Sequence, residues 1–439
     1  MYFLVESKEQ LDELPLTKEC FVQVIALSSF YHPKLTTPCL VYYRGRHGAG
    51  QEWSKGYILC VNHSESFSLN FKDVQEFIRK HSIKYCLDVK YTHYFLDDSI
   101  FLNDVNFVRL RNELKVIKDQ DHNTKVHDYF YNKFKTNSEV NKLIPIVKHY
   151  EKWENIFNQE CKDNFFNNLG DVSFNYKEME ENGIKIDENL FYKYFQPDYG
   201  PFSIKDSKVY TSYNLYNPTT RPTNHFNNIN FSALPKESRE CFIPENDYFL
   251  EFDYEGYHPR LIADLIQYKG FNQQEPIYKQ LAKLYFDKDD EESTKLAKEY
   301  TFKQIYGGIE EKYLKFEYFR IINEYIEYKW KEYNEKGINL LDHYTPCPKG
   351  LNKNQMFNYL IQSLETSKNR TVIFDANLKL KQYKTKLIYY NYDSFLLDAS
   401  EKEDLEDIYK IITKDYPIKT FIGKNYRDME KVNIYTHKQ

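Results

Sequence analysis

Two aspartates stand at the ends of separate apolar, strand-like segments. Asp253 lies near the end of YFLEFDY (248–254), and Asp393 lies at a tight turn within KLIYYNYDSFLLD (386–398). Taken singly, an aspartate at a strand end is usually a turn or capping residue, because its side chain bonds nearby backbone groups. If the two strands are neighbours in one sheet, their carboxylates come together and offer the hard oxygen ligands that Mg²⁺ prefers.

A helical segment between the two aspartates carries residues that suit a nucleotide. Thr294, Lys298, Phe302 and Tyr306 are spaced four apart, so they share one helix face, and Gly307 follows them. A lysine on this face offers charge to a triphosphate, and aromatic rings offer stacking to a base or sugar. The plainer interpretation is an amphipathic helix whose lysine extends its charged end to solvent.

The apolar patterns predict the elements that would position these residues. Residues 18 to about 145 alternate short apolar runs with polar turns, which predicts an α/β domain. Its strands are CFVQVIAL, PCLVYYR, GYILCVN and KYCLDV, and its helix is VQEFIRKHSI. The segment 146–180 has helical spacing, with Gly183 as the C-terminal stop.

The rest of the chain predicts a second α/β arrangement. Residues 196–235 are rich in Pro, Asn, Thr and Ser, which favours irregular structure. The strand at 248–254 then precedes, in order, helical sequence to about 338, a long helix at 353–381, the hairpin at 386–398 and a closing α/β segment.

Composition points to a globular protein of two or three domains. The 439 residues are 41% hydrophobic and 28% charged, and no run approaches the roughly 18–20 apolar residues of a membrane helix. The seven cysteines are scattered without a CxxC pair, which favours reduced thiols and no structural zinc. The start lacks the pattern of a secretory signal. We therefore expect a cytoplasmic protein, in the host cytoplasm if it is viral, with no membrane partner.

Charge and residue usage say little about function. The net charge of −5 does not indicate nucleic-acid binding, for which a basic face is the usual sign, and does not exclude it. The 41 Tyr and 32 Phe against 14 Gly indicate A/T-rich codons, as in a virus or an AT-rich microbe. An isolated aromatic residue therefore carries little functional information here.

Taken together, the segments resemble the three polymerase motifs of family A (DNA polymerase I-like) DNA polymerases. The first motif is matched by Asp253-Tyr254 and Arg260, with His258 at the acidic gate position. The second is an Arg-x3-Lys-x3-Phe-x3-Tyr-Gly helix, and here Thr294 stands at the Arg position with Lys295 beside it as a partial substitute. Of the third motif, His-Asp-Glu, this chain retains only the Asp, as Asp393.

Further segments follow the family's order between about 171 and 398. MEENGIKID (179–187) is close to the segment that precedes the polymerase region, and RECFIP (239–244) to the one before the first motif. Arg221 and NNIN (227–230) match an arginine loop and an Asn/Gln-rich element. Asn358 and Gln362 match an Asn-x3-Gln pair that contacts the primer–template in the family.

The resemblance implies a template-directed DNA polymerase that adds deoxynucleoside triphosphates to a DNA primer–template. Two Mg²⁺ ions, for which Mn²⁺ can substitute, would be held by Asp253, Tyr254 and Asp393, the two aspartates being catalytic. The nucleotide would contact Lys298, Phe302, Tyr306, His258, Lys295 and Arg260. The primer–template would contact Arg221, Asn358, Gln362 and Gly307. Residue usage and resemblance together predict a phage-encoded protein.

The N-terminal region departs from the family. Residues 1–145 occupy the place of a ribonuclease H-like 3′–5′ exonuclease domain, but FVQVIALSS carries no carboxylate and Thr92 stands where a metal-binding Asp is expected. Asp128 is the one carboxylate that matches. A single carboxylate cannot hold a two-metal site, so we expect a degenerate domain without nuclease activity.

The thumb is the second departure. The stretch between Asp187 and Arg221 is too short and too rich in Pro and Tyr for two long antiparallel helices. We therefore expect residues 146–200 to form a helical connector in place of a thumb. Residues 201–439 would form an α+β palm and fingers, with the fingers at about 265–350. Such an enzyme would be distributive and would need a processivity or replication accessory protein for long products.

Two other functions remain open at this stage. Asp393-Ser394-Phe395 also resembles the third motif of single-subunit phage RNA polymerases, which favours an RNA polymerase or primase, but Phe302 and His258 differ from theirs. The loss of several family residues also suits an inert relative that binds nucleic acid or a replication partner. Primer extension with deoxynucleotides and with ribonucleotides would separate the three.

Overall fold

The computed structural model describes residues 2–26, 32–48, 51–61, 69–111, 170–195, 204–210, 212–219, 221–224, 231–273, 275–342 and 345–433. Two compact units contain these residues. Unit 1 comprises Met1–Glu181, Gln196–Ser212 and Phe226–Ile229, and unit 2 comprises Asn182–Phe195, Tyr213–His225 and Asn230–Gln439. Strands and helices mix in both, which confirms the predicted α/β class.

Unit 1 is built on a six-stranded mixed sheet. Its strands are β1 (Tyr2–Val5), β2 (Glu19–Ala26), β3 (Pro38–Arg46), β4 (Gly56–Cys60), β5 (Ile83–Cys86) and β6 (Asn103–Asp104), in the spatial order β1-β4-β3-β2-β5-β6. β2 is buried along its whole length, as its nearly continuous apolar sequence predicts. It pairs antiparallel with β3 and parallel with β5.

The helices of unit 1 cover this sheet with apolar faces. They are α1 (Lys8–Asp12), α2 (Phe71–Arg79), α3 (Val89–Thr92), α4 (Val105–Arg111) and α5 (Gly170–Asn182). Asn70 caps α2 by accepting a hydrogen bond from the Asp73 N–H, and the helix buries Val74 and Ile78. α5 ends before Gly183, whose φ of +61° is the left-handed conformation expected of the predicted stop.

Unit 2 is built on a five-stranded antiparallel sheet. The strands are β12 (Tyr248–Tyr254), β13 (Lys386–Asn391), β14 (Ser394–Ala399), β15 (Ile418–Gly423) and β16 (Glu430–Val432), in the order β13-β14-β12-β15-β16. β12 is therefore central, and its bounds match the predicted strand. Unit 2 also contains three shorter strands among its described residues: β7 (Ile184–Lys185), β10 (Tyr213–Asn214) and β11 (Thr223–Asn224). Two short strands of unit 1, β8 (Ile204–Lys205) and β9 (Lys208–Val209), form an antiparallel hairpin.

Seven helices accompany the strands of unit 2 in the described part of the chain. They are α6 (Glu188–Tyr194), α7 (Tyr257–Leu265), α8 (Ile277–Phe286), α9 (Glu291–Gly307), α10 (Glu317–Lys336), α11 (Lys353–Leu380) and α12 (Glu406–Thr413). The predicted helical region to 338 is thus divided into four helices. Asp287, with φ of +56°, ends α8, and Gly308, with φ of +100°, ends α9. α11 agrees with the predicted second helix to within one residue.

A sharp turn connects β12 to α7. Gly256 has φ of +60°, and a Cβ there would lie 2.1 Å from the Ile277 side chain, so only glycine fits. The apolar faces of α7 to α11 pack together with buried residues such as Ile262, Leu281 and Phe357. This core fixes the helices beside the sheet. None of the helices in the described part of the chain combines the length and apolar character that a membrane span requires.

Candidate active site

The two candidate aspartates lie side by side at one end of the unit 2 sheet. Asp253 pairs with Ser394 across the antiparallel strands β12 and β14, which puts it next to Asp393. The backbone N–H of Tyr254 donates to the backbone carbonyl of Asp393 at 2.8 Å. The predicted neighbouring-strand arrangement is therefore present.

A strained turn presents Asp393. Tyr392, immediately before it, has φ of +60°, which costs an L-residue other than Gly, Asn or Asp about 1 kcal/mol or more. Two contacts hold this turn: the Asn369 side-chain amide donates to the Tyr392 carbonyl at 2.5 Å, and the Arg221 guanidinium lies 3.5 Å from the centroid of the Tyr392 ring. Backbone strain of this kind is concentrated at functional sites.

The two carboxylates repel each other in a poorly solvated position. Burial and the charge of Asp393 raise the pKa of Asp253 to about 7. Burial and the charge of Glu365 raise the pKa of Asp393 as well. Lys419 and Lys298 oppose the rise at Asp253, but no described lysine or arginine forms an ion pair with either aspartate. Two uncompensated acidic groups of this kind suit a bound cation.

The donor set is small for a metal site made of protein alone. No group of three or more His, Cys, Asp or Glu able to hold a metal ion occurs among the described residues. Mg²⁺ is commonly bound by one or two carboxylates together with waters and substrate phosphates. Asp253 and Asp393 fit that pattern, and the carbonyl of Tyr254 adjoins them.

Helix α9 presents the predicted basic and aromatic face. The rings of Phe302 and Tyr306 stack with centroids 5.6 Å apart, and Tyr278 of α8 stacks on Phe302 at 6.3 Å. The Lys298 Nζ lies 5.9 Å from the Phe302 ring centroid and is exposed. Phe302 and Tyr306 pack partly against the helical core, so the exposed part of this face is at Lys298.

His258 joins this helix to α11. Its Nδ1 is hydrogen-bonded to the Tyr306 hydroxyl, and its Nε2 lies 3.3 Å from an oxygen of Glu365. The Glu365 side chain is fully buried, and Arg221 forms an ion pair with the same carboxylate at 3.1 Å. Glu365 was not among the site residues predicted from the sequence. Its signal was its place on the face of Asn358 and Gln362, at the spacing i, i+4, i+7.

Three primer–template candidates lie along α11 and at the end of α9. Asn358 and Gln362 are half-buried, and the Asn358 side-chain carbonyl has no hydrogen-bond partner among the described residues. A buried polar group without a partner is uncommon and suits a ligand that completes it. Gly307 is exposed, with nothing nearer than 4.0 Å to a Cβ built there, so its backbone is open to approach.

No protein-family model matches the sequence, and no curated protein matches it. A solved structure described as the POL domain of Pol1 from M. smegmatis in complex with DNA primer-template and dNTP superimposes with a TM-score of 0.71. It is 13% identical, and the match covers 97% of this chain and 99% of that one. The chain has the fold of a Pol1 polymerase domain.

Three residues at or beside motif positions have no described contact with the two aspartates: Arg260, Lys295 and Thr294. Arg260 is 1% exposed, and its guanidinium donates to Glu255 at 2.8 Å and to Gln273 at 2.9 Å, which uses it within the protein. Lys295 is exposed one turn before Lys298 and has no described contact with the aspartates. Thr294 stands where the family carries Arg, and its hydroxyl lies 3.5 Å from the Asp289 carbonyl.

The residues of unit 1 that the sequence matched to a nuclease motif, Lys90 and Thr92, are bonded to other protein groups. Thr92 is fully buried and donates to the Asp88 carbonyl at 2.6 Å. Lys90 lies 2.5 Å from Glu180, a fully buried carboxylate that also accepts from the Tyr94 hydroxyl at 2.6 Å. Asp128 and NNIN (227–230) lie outside the described residues.

Proposed function

We propose that this protein is a template-directed DNA polymerase that extends a primer with deoxynucleotides. One observation carries the proposal: the paired carboxylates of Asp253 and Asp393 lie in a polymerase fold, and Lys298 opposes the charge of Asp253. The ends of two paired strands supply the carboxylates, and helix α9 supplies the lysine and the stacked aromatic rings. This combination is what a site for a metal-bound nucleotide requires.

The reaction is nucleotidyl transfer. The primer 3′-hydroxyl oxygen forms a bond to the α-phosphorus of the nucleotide, the bond from that phosphorus to the bridging oxygen breaks, and pyrophosphate leaves. Asp253 and Asp393, with the Tyr254 carbonyl, would hold two divalent cations, Mg²⁺ in our proposal. When bound, such ions neutralise charge on the attacking and leaving oxygens and lower the barrier to displacement.

The surrounding residues would bind and orient the substrates. Lys298 would attract the triphosphate as a point charge, and Phe302 and Tyr306 would pack against the sugar and base. His258 would stand beside the sugar. Asn358, Gln362, Arg221 and Gly307 would contact the primer–template. Lys295 would add positive charge near the triphosphate, whereas Arg260, buried among protein partners, would act by fixing the turn after β12.

The domain layout remains part of the proposal. Residues 1–145 would be a degenerate exonuclease-like domain, 146–200 a connector in place of a thumb, and 201–439 the palm and fingers. The ion pair of Lys90 with the buried carboxylate of Glu180 supports a structural role for the first region. A polymerase without a thumb makes fewer phosphate contacts and should bind duplex weakly.

The test is a primer-extension assay on a DNA template with Mg²⁺ or Mn²⁺, with deoxynucleotides and ribonucleotides in separate reactions. We expect extension with deoxynucleotides. Preferential extension with ribonucleotides would favour the RNA polymerase or primase function instead. Binding of primer–template without any extension would favour an inert relative.

A further inference from the structure

Glu365 is an unusual residue for the middle of a long helix. Its side chain is fully buried, yet it is a carboxylate on α11 among apolar core residues such as Ile361. A charged side chain is almost never buried unless it is paired, because the cost of removing it from water is several kcal/mol. The residues that compensate this charge should therefore reveal what the carboxylate does.

Arg221 supplies the first compensation. Its Nε lies 3.1 Å from one oxygen of Glu365, and its Nη2 lies 3.4 Å from the other, so both oxygens face the guanidinium. The same guanidinium lies over the ring of Tyr392, which precedes Asp393. Arg221 is distant from Glu365 in sequence, so the pair fixes a loop against the helix that lies behind the active site.

His258 supplies the second contact, and this contact has a direction. The Nε2 of His258 lies 3.3 Å from an oxygen of Glu365, without the geometry of a hydrogen bond, and the negative charge of the carboxylate favours the tautomer with hydrogen on that nitrogen. In that tautomer Nδ1 is an acceptor, and the Tyr306 hydroxyl donates to it. A series of contacts thus runs from the buried Glu365 on α11, through His258, to Tyr306 on α9.

We propose that Glu365 is a positioning residue for sugar selection, which acts by fixing the orientation and tautomer of the His258 ring. This inference rests on the proposed function, in which His258 stands beside the nucleotide sugar. A ring hydrogen-bonded at Nδ1 to Tyr306 and attracted at Nε2 by the charge of Glu365 would present its carbon edge to the sugar and block a 2′-hydroxyl. A ring released by loss of Glu365 can rotate and offer a nitrogen to that hydroxyl.

The substitution Glu365→Gln is the sharpest test, because glutamine keeps the size of the side chain and removes its charge. Single-nucleotide insertion should be measured with a deoxynucleotide and a ribonucleotide in wild type, Glu365→Gln, His258→Ala and the double variant. We expect the preference for deoxynucleotide, as a ratio of kcat/KM, to fall about tenfold in Glu365→Gln, because the charge that orients the His258 ring is lost. In the His258→Ala background, Glu365→Gln should cause no further loss.

Three controls separate this effect from general damage. Asp375→Asn removes a carboxylate from the same helix, and the preference should not change. Glu365→Asp keeps the charge, so it should retain part of the preference that Glu365→Gln loses. Arg221→Lys loses the contact with both oxygens of Glu365 but keeps a positive charge, so it should weaken primer–template binding and lower the sugar preference less than Glu365→Gln does. An unchanged preference in Glu365→Gln, or a further loss in the double variant, would overturn the proposal.

A second measurement does not require catalysis. Nitrogen NMR of ¹⁵N-histidine-labelled protein distinguishes the two tautomers, and His258→Gln identifies the signals of His258 by their loss. We expect the Nε2–H tautomer in wild type and a mixture in Glu365→Gln. No change would overturn the positioning role whatever the activity. If the tautomer changes but the wild-type protein extends no primer, the proposed function fails and sugar selection fails with it.

Discussion

The backbone N–H of Tyr254 donates to the backbone carbonyl of Asp393 at 2.8 Å, so the end of β12 is tied to the turn between β13 and β14. This bond places Asp253, the residue before Tyr254, next to Asp393, whose carbonyl accepts it. Their proximity is therefore a property of the backbone, and it persists when either side chain is shortened.

Removal of either aspartate should abolish nucleotide addition. We expect Asp253→Ala and Asp393→Ala each to lower extension by at least about 1000-fold, because one carboxylate cannot hold the ions that neutralise the transition state. The measurement is extension of a labelled primer at saturating nucleotide. Asp407→Asn, which breaks only a surface ion pair with Lys379, is the matched control and should extend normally.

A companion measurement on these variants tests the cation directly. Mg²⁺ should raise the melting temperature of the wild-type protein, since it relieves repulsion between the buried carboxylates and binds only the folded state. Asp253→Asn and Asp393→Asn should lose this response. Wild-type extension by either alanine variant would mean that the active site lies elsewhere.

The N-terminal region should have no nuclease activity. Labelled single-stranded DNA incubated with Mg²⁺ or Mn²⁺ should remain at full length, because Thr92 and Lys90 are engaged with protein groups and offer no metal ligand pair. Denaturing gel electrophoresis over several hours gives the result. Shortening that survives Asp128→Ala but disappears with another N-terminal substitution would contradict this prediction.

Extension should be distributive. If residues 146–200 form a connector in place of a thumb, few contacts hold the duplex, so we expect only short additions per binding event and weak dependence of binding on salt. A trap of excess unlabelled primer–template, added together with the nucleotides, measures one encounter. Full-length product in the presence of the trap would contradict the assignment of residues 146–200 as a connector in place of a thumb.

Sugar choice should respond to two residues beside the α9 face. Phe302→Tyr should improve use of dideoxynucleotides by about tenfold, because its hydroxyl supplies a hydrogen bond that the missing 3′-hydroxyl cannot make. His258→Ala should raise ribonucleotide incorporation by opening the space beside the 2′ carbon. Competition between the nucleotides in single insertions measures both. Preference of the wild type for ribonucleotides, lost in His258→Ala, would instead make the histidine a 2′-hydroxyl ligand.

The buried pair of unit 1 should contribute strongly to stability. Burial raises the pKa of Glu180, but the charges of Lys90 and His32 outweigh it and hold the pKa below 4.5. The pair therefore stabilises the fold above that pH, and its contribution is lost as pH falls through the folded pKa. Lys90→Met removes the main opposing charge from a buried carboxylate and should cost about 3–5 kcal/mol of unfolding free energy at pH 8.

The pH dependence of that variant distinguishes charge from packing. In Lys90→Met, burial acts without its main opposing charge, so the pKa of Glu180 rises and the group is protonated more readily. The deficit measured by urea denaturation should therefore shrink between pH 8 and pH 5. A deficit independent of pH would indicate lost packing instead. The double variant Lys90→Met with Glu180→Gln should recover part of the loss at pH 8.

The sequence predicted those features that depend on neighbouring residues. Alternation of apolar and polar residues defined β12, and a helical repeat defined α11 to within one residue. Gly183 was predicted to end a helix because a left-handed residue is needed there. Asp253, Asp393 and Lys298 were identified from spacing and from the resemblance, since these motifs are contiguous in the chain.

Tertiary structure decided the features that depend on residues far apart in the chain. In the sequence, Glu365 is one acidic residue on a helix of polar and apolar residues. Its burial beside Arg221 and His258 is what supports its proposed function. Arg260 matched a motif, yet packing against Glu255 and Gln273 uses its donors. Burial and electrostatic compensation are sums over all neighbours in space, so local sequence determined the strands and helices, and the packing of those elements determined which charged groups meet.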